Sequence, residues 1–324
     1  MTPDADTLLA DAHLVRLPLA TRFRGVTERE ALLVHGPSGW GEFSPFPEYG
    51  DEEASAWLAA AVEAAWGEPT RVLRAEIPVN ATLPTVPVDR IAHVLAPFGE
   101  VRTVKVKVAD AAETLADDVA RVREVRRILG PEGRIRLDAN GGWNVDQAER
   151  AAHELAPFDL EYLEQPCATV PELAELRGRL HDWQLPIAAD ESVRKASDPL
   201  EVARAGAADL LVVKVQPLGG VARALRIVEE AGLPAVVSSA LDTSVGLAMG
   251  ARLAAALPEL GYDCGLGTAA LLDADVTREP LLPVGGVIPV RPVEPDAELL
   301  RAHAAPPERL AWWHARVRRC AALL

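Results

Sequence analysis

Lysine is nearly missing from this 324-residue chain. Of 33 basic residues only Lys105, Lys107, Lys195 and Lys214 are lysines; the other 29 are arginines. Positive charge is scarce overall: 48 acidic residues leave a formal net charge of −15, which argues against nucleic acid or an anionic membrane surface as the main partner. Cys167, Cys264 and Cys320 form no close pair and an odd total, so neither a disulfide framework nor a zinc site is expected, and a reducing compartment is. No charge-free apolar run reaches the ~18 residues of a membrane span; AVVSSALDTSVGLAMGARLAAAL is interrupted by Asp242 and Arg252. The segment MTPDADTLLADAHLVRL has no basic start before an apolar stretch, so no signal peptide is expected and the cytoplasm is the expected location. Low-complexity linkers and short-period repeats are also missing.

What is present is apolar mass, 49% of residues, and a length that suits one barrel-sized domain plus a smaller one. Short β-branched runs recur at IPVNATL (77–83), VRTVKVKV (101–108), RIRLDAN (134–140) and LEYLEQP (160–166). They continue at PIAADES (186–192), DLLVVKV (209–215), PAVVSSAL (234–241) and YDCGLG (262–267). Between them lie segments with helical spacing, among them 111–129, 145–158 and 220–232. Strand and helix therefore alternate, which implies parallel strands with helical crossovers. Eight such strands predict a closed α/β barrel; a doubly wound open sheet is the competitor, but its glycine-rich first turn is absent. Residues 1–76 read as strands, turns and a helix over Asp51–Trp66, an α+β cap. The barrel is expected over 77–284, with the proline-rich tail 285–324 packing back.

Alternation along a strand sends Lys105 and Lys107 to one face and Val104, Val106 and Val108 to the other. Taken alone, the pair reads equally well as solvated lysines on an exposed strand. A barrel strand has no solvent face, however, so with valines against the helices the lysines point inward or to the mouth. Two like charges there require anions nearby. Asp138, Glu164 and Asp190 each close one of the next three strands, 26 residues apart. Any one of them reads as a helix cap or a solvated strand end; three in succession converge on the rim where barrel active sites lie. Oxygen donors without clustered His or Cys suit a hard divalent cation, Mg²⁺ by default with Mn²⁺ as the alternative. Asn140 faces the same way as Asp138, and Lys214 falls on the next strand, 24 residues after Asp190.

The set KVK (105–107), DAN (138–140), EQP (164–166), DES (190–192) and VKVQPLGG (213–220) resembles, in order and spacing, the enolase superfamily in its muconate cycloisomerase-like branch. The resemblance covers essentially the whole chain. It implies a modified TIM barrel, (β/α)7β, under an N-terminal α+β capping domain completed by the C-terminal tail. Within the branch the chain looks most like the o-succinylbenzoate synthase family of the menaquinone route. SSALDTSVGL (238–247) resembles the segment in which serines and the following backbone hold a succinyl carboxylate, implying Ser238, Ser239 and Leu241 as substrate contacts. TRFRG (21–25) and GEFSPFPEY (41–49) resemble its cap loops, with Phe23, Arg24 and Gly25 as lid residues; Arg24 reads equally as an exposed loop charge. The segment Asp263-Cys264-Gly265 lacks the second aspartate of the branch's dipeptide epimerases, and no His base with an Asp partner appears at the sixth and seventh strands, which disfavours mandelate-type racemisation.

The resemblance further implies that Asp138, Glu164 and Asp190 hold Mg²⁺, with Asn140 as an orienting group. Lys107 takes a proton next to a carboxylate, Lys105 sits beside it, and Lys214 stabilises the enediolate that then expels hydroxide. An ordinary lysine, pKa ~10.4, is only about 0.04% neutral at pH 7, so a base at Lys107 needs roughly 4–5 kcal/mol of destabilisation of its ammonium, which a neighbouring cation and a metal would supply. Arginine would stay protonated at Lys107 and would be too bulky at Lys105 and Lys214. The expected partner is a small-molecule carboxylate, with no nucleic acid or membrane and the oligomeric state open. N-succinylamino acid racemisation, alone or alongside dehydration, uses the same lysines and is the alternative; a non-catalytic barrel binding a small acid is the alternative from another class. Lys195, just past the fifth strand, reads as a surface loop residue.

Overall fold

Three antiparallel strands, β1 (Ala12–Phe23), β2 (Val26–Gly36) and β3 (Gly39–Phe43), open the chain in the order β1-β2-β3. The computed structural model describes residues 3–23, 25–194 and 198–324, so Arg24 and Lys195 lie outside the described residues. Along β1, Val15, Leu17 and Leu19 turn inward while Arg16 and Pro18 stay exposed, the period-2 pattern of a sheet with one buried face. The helix Asp51–Trp66 follows, with Asp51, Glu52 and Glu53 in its first turn where the helix dipole favours negative charge. Its Trp57 and Leu58 meet Leu32 and Phe43 of the sheet, and the tail helix Pro307–Ala321 adds Trp313, Val317 and Cys320 to the same apolar cluster.

The barrel strands are β4 (Glu76–Pro78), β5 (Ala81–Leu83), β6 (Thr103–Lys107), β7 (Arg134–Asp138), β8 (Leu160–Glu164), β9 (Ile187–Ala189), β10 (Leu210–Val213) and β11 (Ala235–Val237). Seven of these, β5 to β11, form one parallel sheet in chain order. Two expected strands differ. The run 77–83 is divided, because β4 pairs antiparallel with β12 (Val287–Pro289) of the returning tail while β5 pairs with β6. The expected eighth strand, 262–267, is reduced to single bridges: Cys264 to Val79 on one side and Gly265 to Ser238 on the other. A Cβ on Gly265 would lie 2.4 Å from Ser238 Oγ, so this stretch approaches its neighbour too closely for a regular side-chain-bearing strand. These bridges, with hydrogen bonds from Cys264 N to Pro78 O and Gly265 N to Val237 O, link the two ends of the curled sheet.

The strands of the parallel sheet are buried on both sides over most of their length. Val104, Val106, Ile135 and Leu137 pack outward on Val122, Val125 and Leu155 of the helices, whereas Tyr162, Ala188, Leu210, Val212 and Val236 form a cluster inside the barrel. Continuing the inward alternation past those residues brings Lys107, Asp138, Glu164, Asp190 and Lys214 to the C-terminal ends of the strands. The helices are fixed by local signals: Thr114 and Asp117, Asn144 and Gln147, and Thr169 and Glu172 form reciprocal capping boxes at three successive barrel helices.

Trp313 links tail to cap: it is wholly buried, edge-on to Phe43, and its Nε1 donates to Glu30 at 2.9 Å. Trp313→Ala is expected to cost about 3–5 kcal/mol in urea unfolding. A cost below about 1 kcal/mol would mean that the tail helix is not part of the cap core.

Candidate active site

Strand register sets the first contacts. Lys107 pairs with Asp138 across β6 and β7, Asp138 with Glu164 across β7 and β8, and Glu164 with Ala188 on β9, two residues before Asp190. Lys105 Nζ lies 2.9 Å from Glu164 Oε1 and 3.0 Å from Asp138 Oδ2. Lys107 Nζ donates to Asp138 Oδ2 and, at 2.9 Å, to Asn140 Oδ1. Lys214 Nζ donates to Asp190 Oδ2 at 2.5 Å. All three lysine side chains are at most 11% exposed, and the three carboxylates are buried. The structure thus brings the six expected charged residues together.

Burial sets the electrostatics. It raises Glu164 to about 7, with Asp138 and Asp190 repelling further and Lys105 pulling the other way. For Asp190 burial is outweighed by Lys214 and Arg194, which hold it below the ordinary carboxylate range. Lys105 is held above the ordinary lysine range because Glu164 and Asp138 overcome its desolvation. At Lys214 desolvation wins over Asp190, and the ammonium is less stable than in water.

The donors fit a hard divalent cation: three buried carboxylates, with oxygens of Asp138 and Glu164 each about 3 Å from one ammonium and therefore able to touch one small ion. The repulsion that raises Glu164 is what such an ion would relieve. Among the described residues no three acidic, His or Cys side chains are already closed around a single point; lysine ammoniums stand between them.

Above the lysines, Phe23, Phe46, Tyr49 and Trp57 of the cap face Ser238, Ser239, Leu241 and Thr268 of the barrel across a small cavity. Phe23 stands with its ring centroid 5.5 Å from Lys107 Nζ. Ser239 Oγ donates to Gly265 O at 2.8 Å and pairs with Thr268 Oγ1 at 2.7 Å, while Leu241 holds a left-handed backbone, φ 62°. Gly25 lies exposed at the β1–β2 turn, away from the cavity lining. Asp263 turns to the opposite end of the barrel, where it accepts from Arg102 and from Thr103 at the start of β6.

Two family models match this chain: the enolase C-terminal domain-like model over residues 90–296 and the enolase N-terminal domain-like model over 14–65. The o-succinylbenzoate synthase of Mycobacterium leprae is 55% identical over 325 residues, covering 100% of this chain and 95% of the relative. The chain belongs to the enolase superfamily, in its o-succinylbenzoate synthase family. The o-succinylbenzoate synthase of Thermobifida fusca is 56% identical over 304 residues, 93% of each chain. Among solved structures, muconate lactonizing enzyme from Pseudomonas fluorescens superposes with a TM-score of 0.77 at 21% identity, covering 91% of this chain and 98% of that one. That likeness carries the barrel and its cap, not an activity.

Two residues of this family site are legible only in three dimensions. Arg194, with a side chain 4% exposed, donates to Asp190 at 3.1 Å and Glu191 at 2.6 Å and lines the cavity; its only trace in the sequence is helical i,i+4 spacing from Asp190. Gln165 accepts from Asp190 N at 3.0 Å and Ser192 N at 3.1 Å, and donates to Ser192 Oγ at 2.7 Å and Cys167 O at 2.9 Å. It locks the turn that carries Asp190. Gln165→Leu removes four buried hydrogen bonds at ~1 kcal/mol each, so a loss of about 2–4 kcal/mol is expected in chemical unfolding. Unchanged stability would show that Asp190 is held by its lysine and arginine alone.

Proposed function

We propose that the chain dehydrates 2-succinyl-6-hydroxy-2,4-cyclohexadiene-1-carboxylate to 2-succinylbenzoate, a hydro-lyase step of menaquinone biosynthesis. The observation that carries this reading is the lysine and carboxylate ring at one rim of the barrel, in a chain 55% identical over its full length to an o-succinylbenzoate synthase. Charge supports a dianionic substrate. With Lys107 neutral as the base, Lys105, Lys214 and Arg194 face Asp138, Glu164, Asp190 and Glu191, three cations against four carboxylates. A divalent ion turns that deficit into a net positive site for the substrate's two carboxylates.

Asp138, Glu164 and Asp190 would hold Mg²⁺, or Mn²⁺ in its place. When bound, the metal supplies stabilisation of the charge that builds on the ring carboxylate as its neighbouring carbon loses a proton. Lys107 takes that proton; Asn140, already bonded to its Nζ, orients it. As the C6–O bond breaks and the ring becomes aromatic, Lys107 returns the proton to the departing hydroxyl, which leaves as water. Lys105, clamped between Asp138 and Glu164, stays protonated and makes a second ammonium at Lys107 costly. Lys214 contributes a fixed positive charge. Ser238, Ser239 and Leu241 receive the succinyl end, and Phe23 closes over Lys107. Gly25 is assigned only the turn that carries Phe23.

Turnover of the cyclohexadiene by the wild-type chain, abolished by EDTA and restored by Mg²⁺, is the direct test; no turnover with any divalent ion would overturn the reading. Lys107→Ala should lose ~10²–10⁴-fold in kcat or more while still binding Mn²⁺. Lys214→Arg should be less damaging than Lys107→Arg, because only the latter position must release a proton. Equal damage would assign Lys214 a proton-transfer role, as racemisation requires, and α-proton exchange of an N-succinylamino acid in D₂O would then be expected.

A further inference from the structure

Glu42 is a fully buried carboxylate on β3 of the cap, and none of its hydrogen-bond partners is a metal-holding or lysine side chain. Its Oε2 accepts from Thr243 N at 3.1 Å, Thr243 Oγ1 at 2.6 Å and Gly246 N at 3.0 Å. Those groups are the first turn of the barrel helix Ser244–Ala256, whose N-terminus favours a negative charge. A Cβ on Gly246 would lie 2.8 Å from the Glu42 carboxyl, so the glycine leaves the space that the carboxylate fills. Glu42 Oε1 accepts from Ser44 Oγ at 2.6 Å and Gln216 Nε2 at 3.3 Å. The same Gln216 amide donates to Asp242 at 3.0 Å.

Arg29 on β2 works alongside. It is buried, stacks at 4.2 Å on the Phe46 ring, and donates to the carbonyl of Leu241 at 3.3 Å and to that of Ser44. Leu241 is the residue held at φ 62°, a conformation that a leucine adopts only under constraint. The segment 238–243 is thus fixed at one end by Ser239 on Gly265 and Thr268 of the barrel, and at the other by two side chains of the cap, Arg29 and Glu42, and by Gln216 of the β10 loop. Ser238, Ser239, Ala240 and Leu241 line the cavity together with Lys105, Lys107, Lys214 and Arg194.

We infer that Glu42, assisted by Arg29 and Gln216, is a positioning residue for substrate: a cap side chain that never meets the ligand holds segment 238–243 in the shape that receives the substrate's side-chain carboxylate. The inference rests on the dehydratase reading and deepens it. The cap serves as more than a lid, because it builds part of the binding wall from behind. Affinity for the succinyl end then depends on a residue about 200 positions away in sequence, on the other unit of the fold.

The test compares wild type, Glu42→Leu and Glu42→Gln. In Glu42→Leu the KM for the cyclohexadiene should rise at least tenfold and the Kd for 2-succinylbenzoate should rise in parallel, with kcat within threefold and Mn²⁺ affinity unchanged. Glu42→Gln keeps an acceptor oxygen at the helix N-terminus and should recover most of the KM. Should Glu42→Leu fail to fold, Gln216→Leu is expected to shift KM and product Kd the same way. Loss of active fraction or kcat with KM and product Kd at wild-type values would overturn the inference, leaving Glu42 a structural residue only. A wild-type chain that neither turns over the substrate nor binds the product would overturn the dehydratase reading, and the carboxylate role with it. Faster amide exchange at 238–246 in Glu42→Leu would then place the error in the substrate assignment and not in the cap contact.

Discussion

The ammonium of Lys105 sits within 3.0 Å of both Asp138 and Glu164, out of water, and most of the molecule can be understood from what that contact demands. Charges removed from water cost several kcal/mol each unless opposite charges meet them in good geometry. Three adjacent strands in fixed register provide that geometry, since a parallel ladder places Lys107, Asp138 and Glu164 at one level. The ladder in turn needs both faces buried, which the valines against the helices and the Tyr162–Leu210–Val236 cluster inside accomplish. Gln165 fixes the turn bearing Asp190, and Arg194 and Lys214 complete the set of cations around it. Such a cluster is a weak source of stability, because apolar side chains of the same volume would pack with less cost. Its retention is therefore better explained by chemistry at the rim than by folding.

Much of this was legible in the chain itself. Period-2 alternation in KVK put both lysines on one face, and the repeated strand–helix rhythm put Asp138, Glu164 and Asp190 at equivalent ends. The helix Asp51–Trp66 was likewise legible, and the structure gives it those bounds. What local pattern could not supply was the partner of a side chain across a long separation. Glu42 and Thr243 are bonded 201 residues apart, and Arg29 reaches Leu241 over 212. Periodicity assigns Glu42 to a face of β3; it cannot say that the face holds a helix N-terminus. Strand limits failed where pairing changed partner. The run 77–83 looks continuous in hydropathy, yet its first half serves the tail and its second half the barrel. The closing stretch at 264–265 is strand-like in composition but holds each neighbour by single bridges.

The scarcity of lysine takes a sharper meaning from the other end of the barrel. Bulk is one reason against arginine at Lys105 and Lys214. Arg136 shows that a guanidinium fits inside this barrel: wholly buried on β7, it donates to Glu161, Asn80 and the carbonyl of Asp263 and stacks on Tyr162 at 4.9 Å. Its Nη2 nevertheless has no hydrogen-bond partner among the described residues. Beside bulk, the two cations differ in what each can do. A guanidinium spreads five donors over a rigid plane and never gives up its proton. An ammonium is a point charge whose three donors can reach carboxylates on two different strands, as Lys105 does, and it can lose a proton when its surroundings make the charge costly. A chain that uses arginine for nearly every other positive charge keeps lysine at 105, 107 and 214, where the proposed reaction calls for a compact charge or a mobile proton.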